Sequence, residues 1–327
     1  MRARRFTVWL ALMSDFLQQT LDHPAVWAAD ELLARDDWEH EFASADWPKI
    51  QDALENGSGA ALIRGFPVDG FSKDEARTDF LNLCRKIGTP ISQNENGDEV
   101  FDVSDAGFKS DDPRTRGPNT KKKLSFHTDR CDVIAFLCWR QAQSGGENEL
   151  VSSMALFNEI QKQRPDLLEV LMQPFVYKRH SVDLGNDATF CKKPIFSFRD
   201  GHFAASFLRV LIDRAGADPK LPDLTAEQIE AMDFLESVAA EPTMHVRFRQ
   251  EPGDILLMNK WVNLHRRSAF EDHETEADKR CLFRIWLSMP NSRPLDPQFE
   301  ANLGAVEAGA IRGGMRARNF DPTVSDR

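Results

Sequence analysis

One hairpin-like stretch constrains the fold more than any other part of the chain. In residues 245–270, HVRFRQEPGDILLMNKWVNLHRRSAF, a Pro-Gly-Asp turn at 252–254 separates two runs rich in Val, Ile, Leu and aromatic residues. Such runs on either side of a turn predict a pair of strands. Further strand-like runs occur at residues 57–65, 99–103, 131–140 and 281–290. Because strands lie near both ends of the chain, we expect one β-barrel-like domain rather than two independent domains.

Helical segments interrupt these strands. Ser72 can cap the segment SKDEARTDFLNLCRKIG and Gly88 can end it, so we expect a helix between them. Residues 24–55 also predict a helix, because Trp and Leu recur there at helical spacing between acidic residues. Further helices are predicted from residue 153, near 203–215 and near 225–239. These later helices predict a helical insertion at about 154–240.

The domain boundaries follow from this pattern. We expect residues 1–23 to be a flexible or helical N-terminal segment, residues 24–292 to be a single domain, and residues 293–327 to be a C-terminal extension. The first residues imitate a secretory signal, but no small-residue cleavage site follows them. Residues 104–123 are polar and rich in Gly and Pro, which indicates either a solvated surface loop or a lid over a site.

Composition excludes several classes of function. The net charge of -11 repels a phosphate backbone, so nucleic acid is not an expected partner. No apolar run reaches the ~18 residues that a membrane helix needs, so no membrane association is expected. The five cysteines are widely spaced and odd in number, without a CxxC pair. This usage is typical of reduced thiols and predicts a cytoplasmic protein.

The tripeptide His127-Thr128-Asp129 is the first candidate for chemistry. On an extended chain the side chains at i and i+2 share a face, with origins about 7 Å apart, so both can reach one metal ion. Such a pair is common by chance and needs a third ligand. His265 is favoured because it closes the strand after the Pro-Gly-Asp turn, and His273 is the alternative. Two imidazoles and one carboxylate suit non-haem iron(II), and zinc accepts the same set.

Arg280 and Arg284 are the second candidate pair. They lie four residues apart in a segment that otherwise predicts a buried strand, so their side chains share a face. A buried guanidinium is costly unless it is paired, and a carboxylate is its natural partner. A dicarboxylate cosubstrate would supply that partner, and an internal salt bridge is the alternative.

These features together resemble the taurine dioxygenase and clavaminate synthase-like (TauD/TfdA) family of 2-oxoglutarate oxygenases. The resemblance covers the chain from about Trp27 to Pro290, and the order and spacing of its motifs are highly specific. The matching motifs are ALIRGFPV (61–68), KIGTPISQN (86–94), LSFHTD (124–129), the glycine pair at 145–146 followed by LVSS (150–153), PGDILLMNKWVNLHRRSAFED (252–272) and RCLFRIWLSMP (280–290).

The resemblance implies roles for individual residues. His127, Asp129 and His265 match the metal ligands of the family, with His265 lying 136 residues after Asp129. Arg280, 15 residues beyond His265, matches the arginine that holds the far carboxylate of 2-oxoglutarate. Arg284 matches a second arginine that faces the cosubstrate or an anionic group of the substrate.

One position departs from the family pattern. Asn148 stands where the family usually has Thr or Ser after the paired glycines. Asn can still donate a hydrogen bond to a carboxylate, so we expect a changed contact with the cosubstrate rather than a lost one.

The resemblance also implies a fold and an activity. The implied fold is mainly β with α, a double-stranded β-helix (a jelly-roll or cupin-like barrel) with flanking helices and the helical insertion. The implied enzyme is an iron(II)- and 2-oxoglutarate-dependent dioxygenase that uses O2 and releases succinate and CO2. It would oxidise, most simply hydroxylate, a C–H bond of a small anionic substrate such as an amino acid or another carboxylate. The residues expected to contact this substrate are Asn94, Lys123, Ser125, Arg209 and Arg284.

Several alternatives stay open at this point. The same metal site can perform desaturation or cyclisation. A metal-binding sensor barrel without turnover and a zinc hydrolase are alternatives of other classes. The sequence is also compatible with a homo-oligomer.

Overall fold

The structure is a computed structural model that describes residues 19–107, 117–180, 183 and 185–316. Most of the predicted N-terminal segment 1–23, residues 108–116 of the predicted loop 104–123 and the end of the extension 293–327 lie outside the described residues. The strands are β1 (Glu39–Glu41), β2 (Ala60–Arg64), β3 (Thr89–Ile91), β4 (Val100–Val103), β5 (Val133–Arg140), β6 (Ser144–Gly145), β7 (Asn148–Ser152), β8 (Phe175–Lys178), β9 (Phe190–Lys193), β10 (Phe196–Arg199), β11 (His202–Ala205), β12 (His245–Phe248), β13 (Ile255–Asn259), β14 (Asn263–Arg267), β15 (Phe270–Glu271) and β16 (Cys281–Ser288). The α-helices are α1 (Ala29–Leu33), α2 (Trp47–Asn56), α3 (Lys73–Ile87), α4 (Ser153–Gln163), α5 (Pro165–Leu171), α6 (Arg209–Gly216), α7 (Ala226–Ala240) and α8 (Glu300–Leu303). Among these described helices none has the length and apolar composition needed to cross a membrane.

Two sheets face each other and enclose the interior of the domain. The larger sheet has the strand order β1-β2-β13-β5-β16-β3, with β4 also paired to β16, and the smaller sheet has the order β12-β7-β14. Leu150 and Val246 of the smaller sheet pack with Leu256 and Trp286 of the larger one in a buried cluster between them. This is the packing of two sheets across one core. The predicted mainly β barrel with flanking helices is therefore confirmed.

The strand β16 shows how the sequence directs side chains to the two sides of the larger sheet. All eight residues of β16 are buried. Leu282 and Trp286 face the interior between the sheets, whereas Phe283 and Ile285 pack in the cluster on the other side. Arg284 lies between Leu282 and Trp286 in this alternation and therefore faces the interior. The strand predicted at 281–290 is confirmed, together with the predicted turn before β13.

Helices cover the outer face of the larger sheet. The helix α3 begins at the predicted cap, where Ser72 Oγ accepts a hydrogen bond from Glu75 N and Glu75 Oε2 accepts one from Ser72 N. Such a reciprocal cap satisfies two backbone donors that have no partner within the helix. The apolar side of α3, including Phe80, packs in the outer cluster with Phe283. The helix predicted between Ser72 and Gly88 is confirmed.

Two helix predictions are wrong in part. The stretch 24–55 is not one helix, because β1 divides it into α1 and α2 and pairs in parallel with β2. Hydrogen bonds to the edge of the larger sheet outweigh the helical spacing of the apolar residues, since helix propensity is a weak preference that tertiary contacts override. Residues 202–205 form β11 rather than the start of a helix. The insertion at 154–240 contains the hairpins β8-β9 and β10-β11 as well as helices.

Residues 293–316 of the predicted extension pack against the barrel. Arg312 Nε lies 2.7 Å from Asp132 Oδ1 in an ion pair whose side chains are 0% and 1% exposed. Arg293 Nε lies 2.6 Å from Glu55 Oε1. Buried ion pairs of this kind fix the path of a chain because either partner alone would be an uncompensated charge. The last strand, β16, is therefore not the last element of the folded body.

Candidate active site

The three predicted metal ligands meet at one end of the barrel. His265 lies on β14, and its backbone exchanges two hydrogen bonds of 3.0 Å each with the backbone of His127. Asp129 follows two residues after His127, and the ligand atoms of the three side chains all lie within 4.8 Å of one another. Among the described residues this is the one such group of His, Cys, Asp or Glu side chains. The pairing of His127 with His265, rather than a regular strand at residues 127–129, brings the ligands together.

Hydrogen bonds from the Nδ1–H groups to backbone carbonyl oxygens orient both imidazoles. His127 Nδ1 lies 2.9 Å from Ser125 O, and His265 Nδ1 lies 3.2 Å from His127 O. The Nε2 atoms are thereby left for a metal ion, and His265 Nε2 lies 3.6 Å from Asp129 Oδ2. Burial lowers the pKa of His127 and lowers that of His265 well below its ordinary value. Both rings are therefore neutral at neutral pH, which is the form that binds a metal.

A buried lysine lies beside the distal histidine. Lys260 is 0% exposed, and its Nζ lies 2.8 Å from His265 Nδ1 and 3.4 Å from His127 O. Burial lowers the pKa of Lys260 to about 8. The sequence analysis missed this residue because a lysine in a short connection between two strands usually lies on the surface.

Arg284 lies beside the metal ligand Asp129, and its predicted contact with the cosubstrate or substrate stays a prediction. Its Nε donates to Gln93 Oε1 at 2.7 Å, and Gln93 Nε2 donates back to Arg284 O at 2.7 Å. Its Nη1 lies 3.5 Å from Asp129 Oδ1. Its Nη2 is buried and has no hydrogen-bond partner in the described part of the chain. Arg284 is thus held in one orientation and retains a donor for another group.

Arg280 has the features expected of a carboxylate-binding residue. It is 1% exposed, its backbone N donates to Asp272 Oδ1 at 2.8 Å, and its guanidinium carbon lies 5.1 Å from the centroid of the Phe270 ring. Its Nε and Nη1 have no hydrogen-bond partner within the described ranges. Burial lowers the pKa of Arg280 to about 10. A buried cation with unused donors fits the carboxylate of a cosubstrate such as 2-oxoglutarate.

The paired glycines form the turn that approaches Arg280. A Cβ atom on Gly145 would lie 2.2 Å from Ala269 O, and a Cβ on Gly146 would lie 3.1 Å from Arg280 Nε. Both glycines have φ of +74°, in the left-handed region. Only glycine combines that backbone with so close an approach.

Asn148, the residue that departs from the family pattern, already has a partner. Its Nδ2 donates to Gln250 Oε1 at 3.0 Å, and its side chain is buried. An amide nitrogen carries two hydrogens, so one donor of Asn148 is engaged in this contact. The expected contact between Asn148 and the cosubstrate stays a prediction.

A cavity of about 560 Å³ opens beside the metal ligands. His127, Asp129, Arg284 and Trp286 form one wall of it, whereas Arg280 is not among the residues that line it. The insertion supplies Tyr177, Lys178, Arg179, His180, Asp183, Cys191, Lys193, Ser206, Leu208, Arg209, Val210, Leu211, Asp213 and Glu236, and the residues after β16 supply Asn302, Leu303 and Met315. The insertion and the C-terminal segment therefore shape the substrate side of the site.

The structure places the predicted substrate residues in different positions. Lys123 and Ser125 line the cavity together with Arg284. Asn94 does not, because it lies in an exposed turn where its Nδ2 donates to Asp98 Oδ2 at 2.7 Å. The expectation that Asn94 contacts the substrate is not supported.

Arg209 lines the cavity, but its charge is already neutralised. Its Nη1 lies 2.5 Å from Asp233 Oδ1 and 2.6 Å from Glu236 Oε2, and its Nε lies 3.5 Å from Asp213 Oδ2. A guanidinium that faces three carboxylates has little attraction left for an anionic substrate. The prediction of Arg209 as an anion contact is therefore not supported either. Asp213 lies four residues further along the same helix, α6, but Asp233 and Glu236 come from α7, and the sequence could not reveal that these two lie beside Arg209.

Comparisons with known proteins agree with this geometry. Residues 23–286 match the sequence model of the family described as "Taurine catabolism dioxygenase TauD, TfdA family". The chain is 30% identical over 263 residues to FR-33289 synthase of Streptomyces rubellomurinus, and this alignment covers 79% of this chain and 77% of that protein. It is 27% identical over 268 residues to a uridine-5'-phosphate dioxygenase of an Amycolatopsis species, covering 77% of this chain and 93% of that protein.

A solved structure shares the fold. It is an asparagine oxygenase in complex with Fe(II), 2S,3S-3-hydroxyasparagine and succinate. The TM-score is 0.58 with 17% sequence identity, and the match covers 83% of this chain and 87% of that one. At this identity the match establishes the double-stranded β-helix fold.

Proposed function

The chain belongs to the TauD/TfdA family of iron(II)- and 2-oxoglutarate-dependent dioxygenases, and on that premise we propose that it hydroxylates a C–H bond of a small anionic substrate. The observation that carries the proposal is the group of His127, Asp129 and His265 within 4.8 Å, next to a cavity with many cationic side chains. Two neutral imidazoles and one carboxylate would hold iron(II) and leave room for a cosubstrate, which is the ligand set that oxygenases of this kind use.

Iron(II) and 2-oxoglutarate together supply the activation of O2 and the oxidising equivalent that removes a hydrogen atom from the substrate. His127, Asp129 and His265 would hold the metal. Arg280 would bind the far carboxylate of 2-oxoglutarate through donors that have no partner in the described residues. Arg284, braced by Gln93, orients Asp129 and faces the cavity.

The cavity supports a substrate that carries negative charge. Seven of the lining residues are cationic, namely Lys123, Arg130, Lys178, Arg179, Lys193, Arg209 and Arg284. Arg209 is neutralised by its carboxylates and Lys178 pairs with Asp218, so the other five carry the argument. Four other lining residues are acidic, namely Asp129, Asp183, Asp213 and Glu236. An excess of positive charge inside a partly enclosed cavity attracts anions and lowers the cost of desolvating them. The relative that is named for uridine-5'-phosphate is consistent with an anionic substrate.

The decisive experiment is anaerobic reconstitution with iron(II) followed by addition of 2-oxoglutarate. We expect the weak visible charge-transfer band of the bidentate chelate, and succinate release once O2 is admitted. His265→Ala should lose both signals because it removes a ligand. His273→Ala is the matched control and should keep both, because His273 is not in the metal group. Bound iron without a band in the unmodified protein would contradict the proposal.

The mass of the product separates the possible outcomes of the same oxidation. Hydroxylation adds one oxygen atom, and desaturation or cyclisation removes two hydrogen atoms instead. A zinc hydrolase with the same ligands would need neither O2 nor 2-oxoglutarate, and it would leave the buried donors of Arg280 unexplained. Activity that persists under nitrogen with zinc would favour that second function.

A further inference from the structure

The cavity contains a buried lysine that the metal site does not use. Lys193 ends β9, is 4% exposed, and donates from Nζ to Ser206 Oγ at 2.5 Å. The same Nζ lies 3.5 Å from the centroid of the Tyr177 ring. Burial lowers the pKa of Lys193 to about 7, and no carboxylate of the described residues is among the groups that act on its charge. A buried ammonium without a counter-ion is costly, so Lys193 is partly neutral at neutral pH, and a bound anion would stabilise its charged form.

Two arginines near Lys193 share one carboxylate. Arg130 Nη1 pairs with Asp183 Oδ2, and Arg179 Nη1 lies 3.3 Å from the same oxygen. The two arginine side chains are 11% and 8% exposed. Arg130 Nε is buried and has no hydrogen-bond partner in the part of the chain that the structure describes. We call Lys193, Arg130, Arg179 and Asp183 the basic chamber; when Lys193 is protonated, the chamber carries three positive charges and one negative, an excess of two.

The acidic side chains of the cavity do not neutralise this excess. Asp213 and Glu236 pair with Arg209, and their side chains are 53% and 26% exposed, so water screens them. Asp129 is one of the three candidate metal ligands and also lies 3.5 Å from Arg284 Nη1, so its charge is already engaged. The positive excess therefore lies at the buried end of the cavity, where electrostatic attraction is strongest.

The basic chamber adjoins the metal ligands. Arg130 directly follows Asp129 in the chain. Ser206 precedes Phe207, whose carbonyl oxygen accepts a hydrogen bond of 2.7 Å from Thr128 N, between the two ligands of the tripeptide. A substrate anchored in the chamber would thus extend toward the metal in the same cavity.

We propose that Lys193, Arg130 and Ser206 bind a dianionic tetrahedral group of the substrate, a phosphoryl or phosphonyl group, at the end away from the reacting carbon. This inference rests on the proposed function and names the substrate class. A dianion balances the excess of two charges, whereas a carboxylate or a sulfonate balances one. Three terminal oxygens can also accept from Lys193 Nζ, Arg130 Nε and the Ser206 hydroxyl, which lie on different elements.

The test is an anaerobic calorimetric titration of the enzyme loaded with iron(II) and saturating 2-oxoglutarate, so that Arg280 is already occupied. The probes are methyl phosphate, methylphosphonate, methanesulfonate and acetate at pH 7.5. We expect the first two to bind at least about tenfold more tightly than the last two, because one charged hydrogen bond contributes about a factor of ten or more. The comparison of methyl phosphate with methylphosphonate distinguishes an ester from a direct carbon–phosphorus link.

Two variants make the test specific. Lys193→Met keeps most of the length of the side chain and should weaken phosphate binding at least about tenfold, with unchanged or higher thermal stability because a buried amine without a counter-ion is removed. Lys192→Met changes the exposed neighbouring lysine and should have no effect. Equal affinity for acetate and phosphate, or a Kd within twofold in Lys193→Met, would overturn the inference. Because succinate release without substrate is measured separately, loss of the basic chamber and loss of the oxygenase reaction are distinguishable.

Discussion

Arg280 allows the sharpest test of how the barrel holds its cosubstrate. Replacing it with Met keeps much of the side-chain volume and removes the charge. Burial lowers the pKa of Arg280 to about 10, from an ordinary value above 12. At about 1.4 kcal/mol per pKa unit, keeping the group charged costs the folded protein ~3 kcal/mol. At pH 7.5, below the pKa in both the folded and unfolded states, this cost is present in full.

The same substitution should have opposite effects on stability and on cosubstrate binding. Without 2-oxoglutarate, Arg280→Met should raise the free energy of unfolding by about 1–3 kcal/mol, because the uncompensated charge is gone. Binding of 2-oxoglutarate should weaken by about 10²–10⁴-fold, since two charged hydrogen bonds of roughly 1.5–3 kcal/mol each are lost. Urea denaturation of the metal-free protein and anaerobic titration of the visible band measure the two effects.

An exposed arginine provides the control for Arg280→Met. Arg247 lies on β12 with its side chain 57% exposed, so Arg247→Met should change neither quantity by much. If Arg280 were instead one partner of an internal ion pair, Arg280→Met would destabilise the protein by about 3–5 kcal/mol. That result, with 2-oxoglutarate affinity within about threefold of the unmodified protein, would show that Arg280 does not bind the cosubstrate.

Three further predictions concern the glycine turn beside Arg280, the buried ion pair of Arg312 with Asp132, and the metal ligands. Gly146→Ala should lower the free energy of unfolding by about 1–3 kcal/mol and weaken 2-oxoglutarate binding, because residue 146 has a φ of +74° and the added Cβ would lie 3.1 Å from Arg280 Nε. Unchanged 2-oxoglutarate affinity in the titration would argue against this contact. Arg312→Met should destabilise the fold by about 3–5 kcal/mol because it leaves Asp132 buried and unpaired, and adding Asp132→Asn should recover part of the loss in urea denaturation. Removing the metal with a chelator should lower the Tm by about 4 °C if the metal is present at about 100 times its Kd, as differential scanning calorimetry can measure; an unchanged Tm would show that the three ligands bind no metal in the folded protein.

The sequence predicted those parts of the fold that depend on local signals. The capping residues of α3 and the Pro-Gly-Asp turn before β13 determine local backbone geometry, so their positions could be predicted. The metal ligands could be predicted because the motifs around them are specific in order and spacing. The edge strand β1 could not, because its hydrogen bonds are made to β2, which lies about twenty residues away in the chain.

The cationic residues of the site were the least predictable. Lys192 and Lys193 are adjacent and alike in sequence, yet Lys192 is exposed and Lys193 is buried. A strand alternates its faces, but the packing of β9 against neighbouring elements decides which face is covered. The same holds for Lys260 beside His265 and for Arg209, because two of its three neutralising carboxylates come from another helix.

The reciprocal backbone pairing of His127 with His265 has a consequence for how such a domain can diversify. The two ligands are 138 positions apart, yet their spacing at the metal is set by two hydrogen bonds between their own backbones. The insertion between them, which supplies Lys193, Tyr177 and Ser206, can change its length and composition without altering that spacing. Reactivity and selectivity are thus encoded by separable stretches of the chain, and exchanging the insertion between related barrels is a rational way to redirect the oxidation to another molecule.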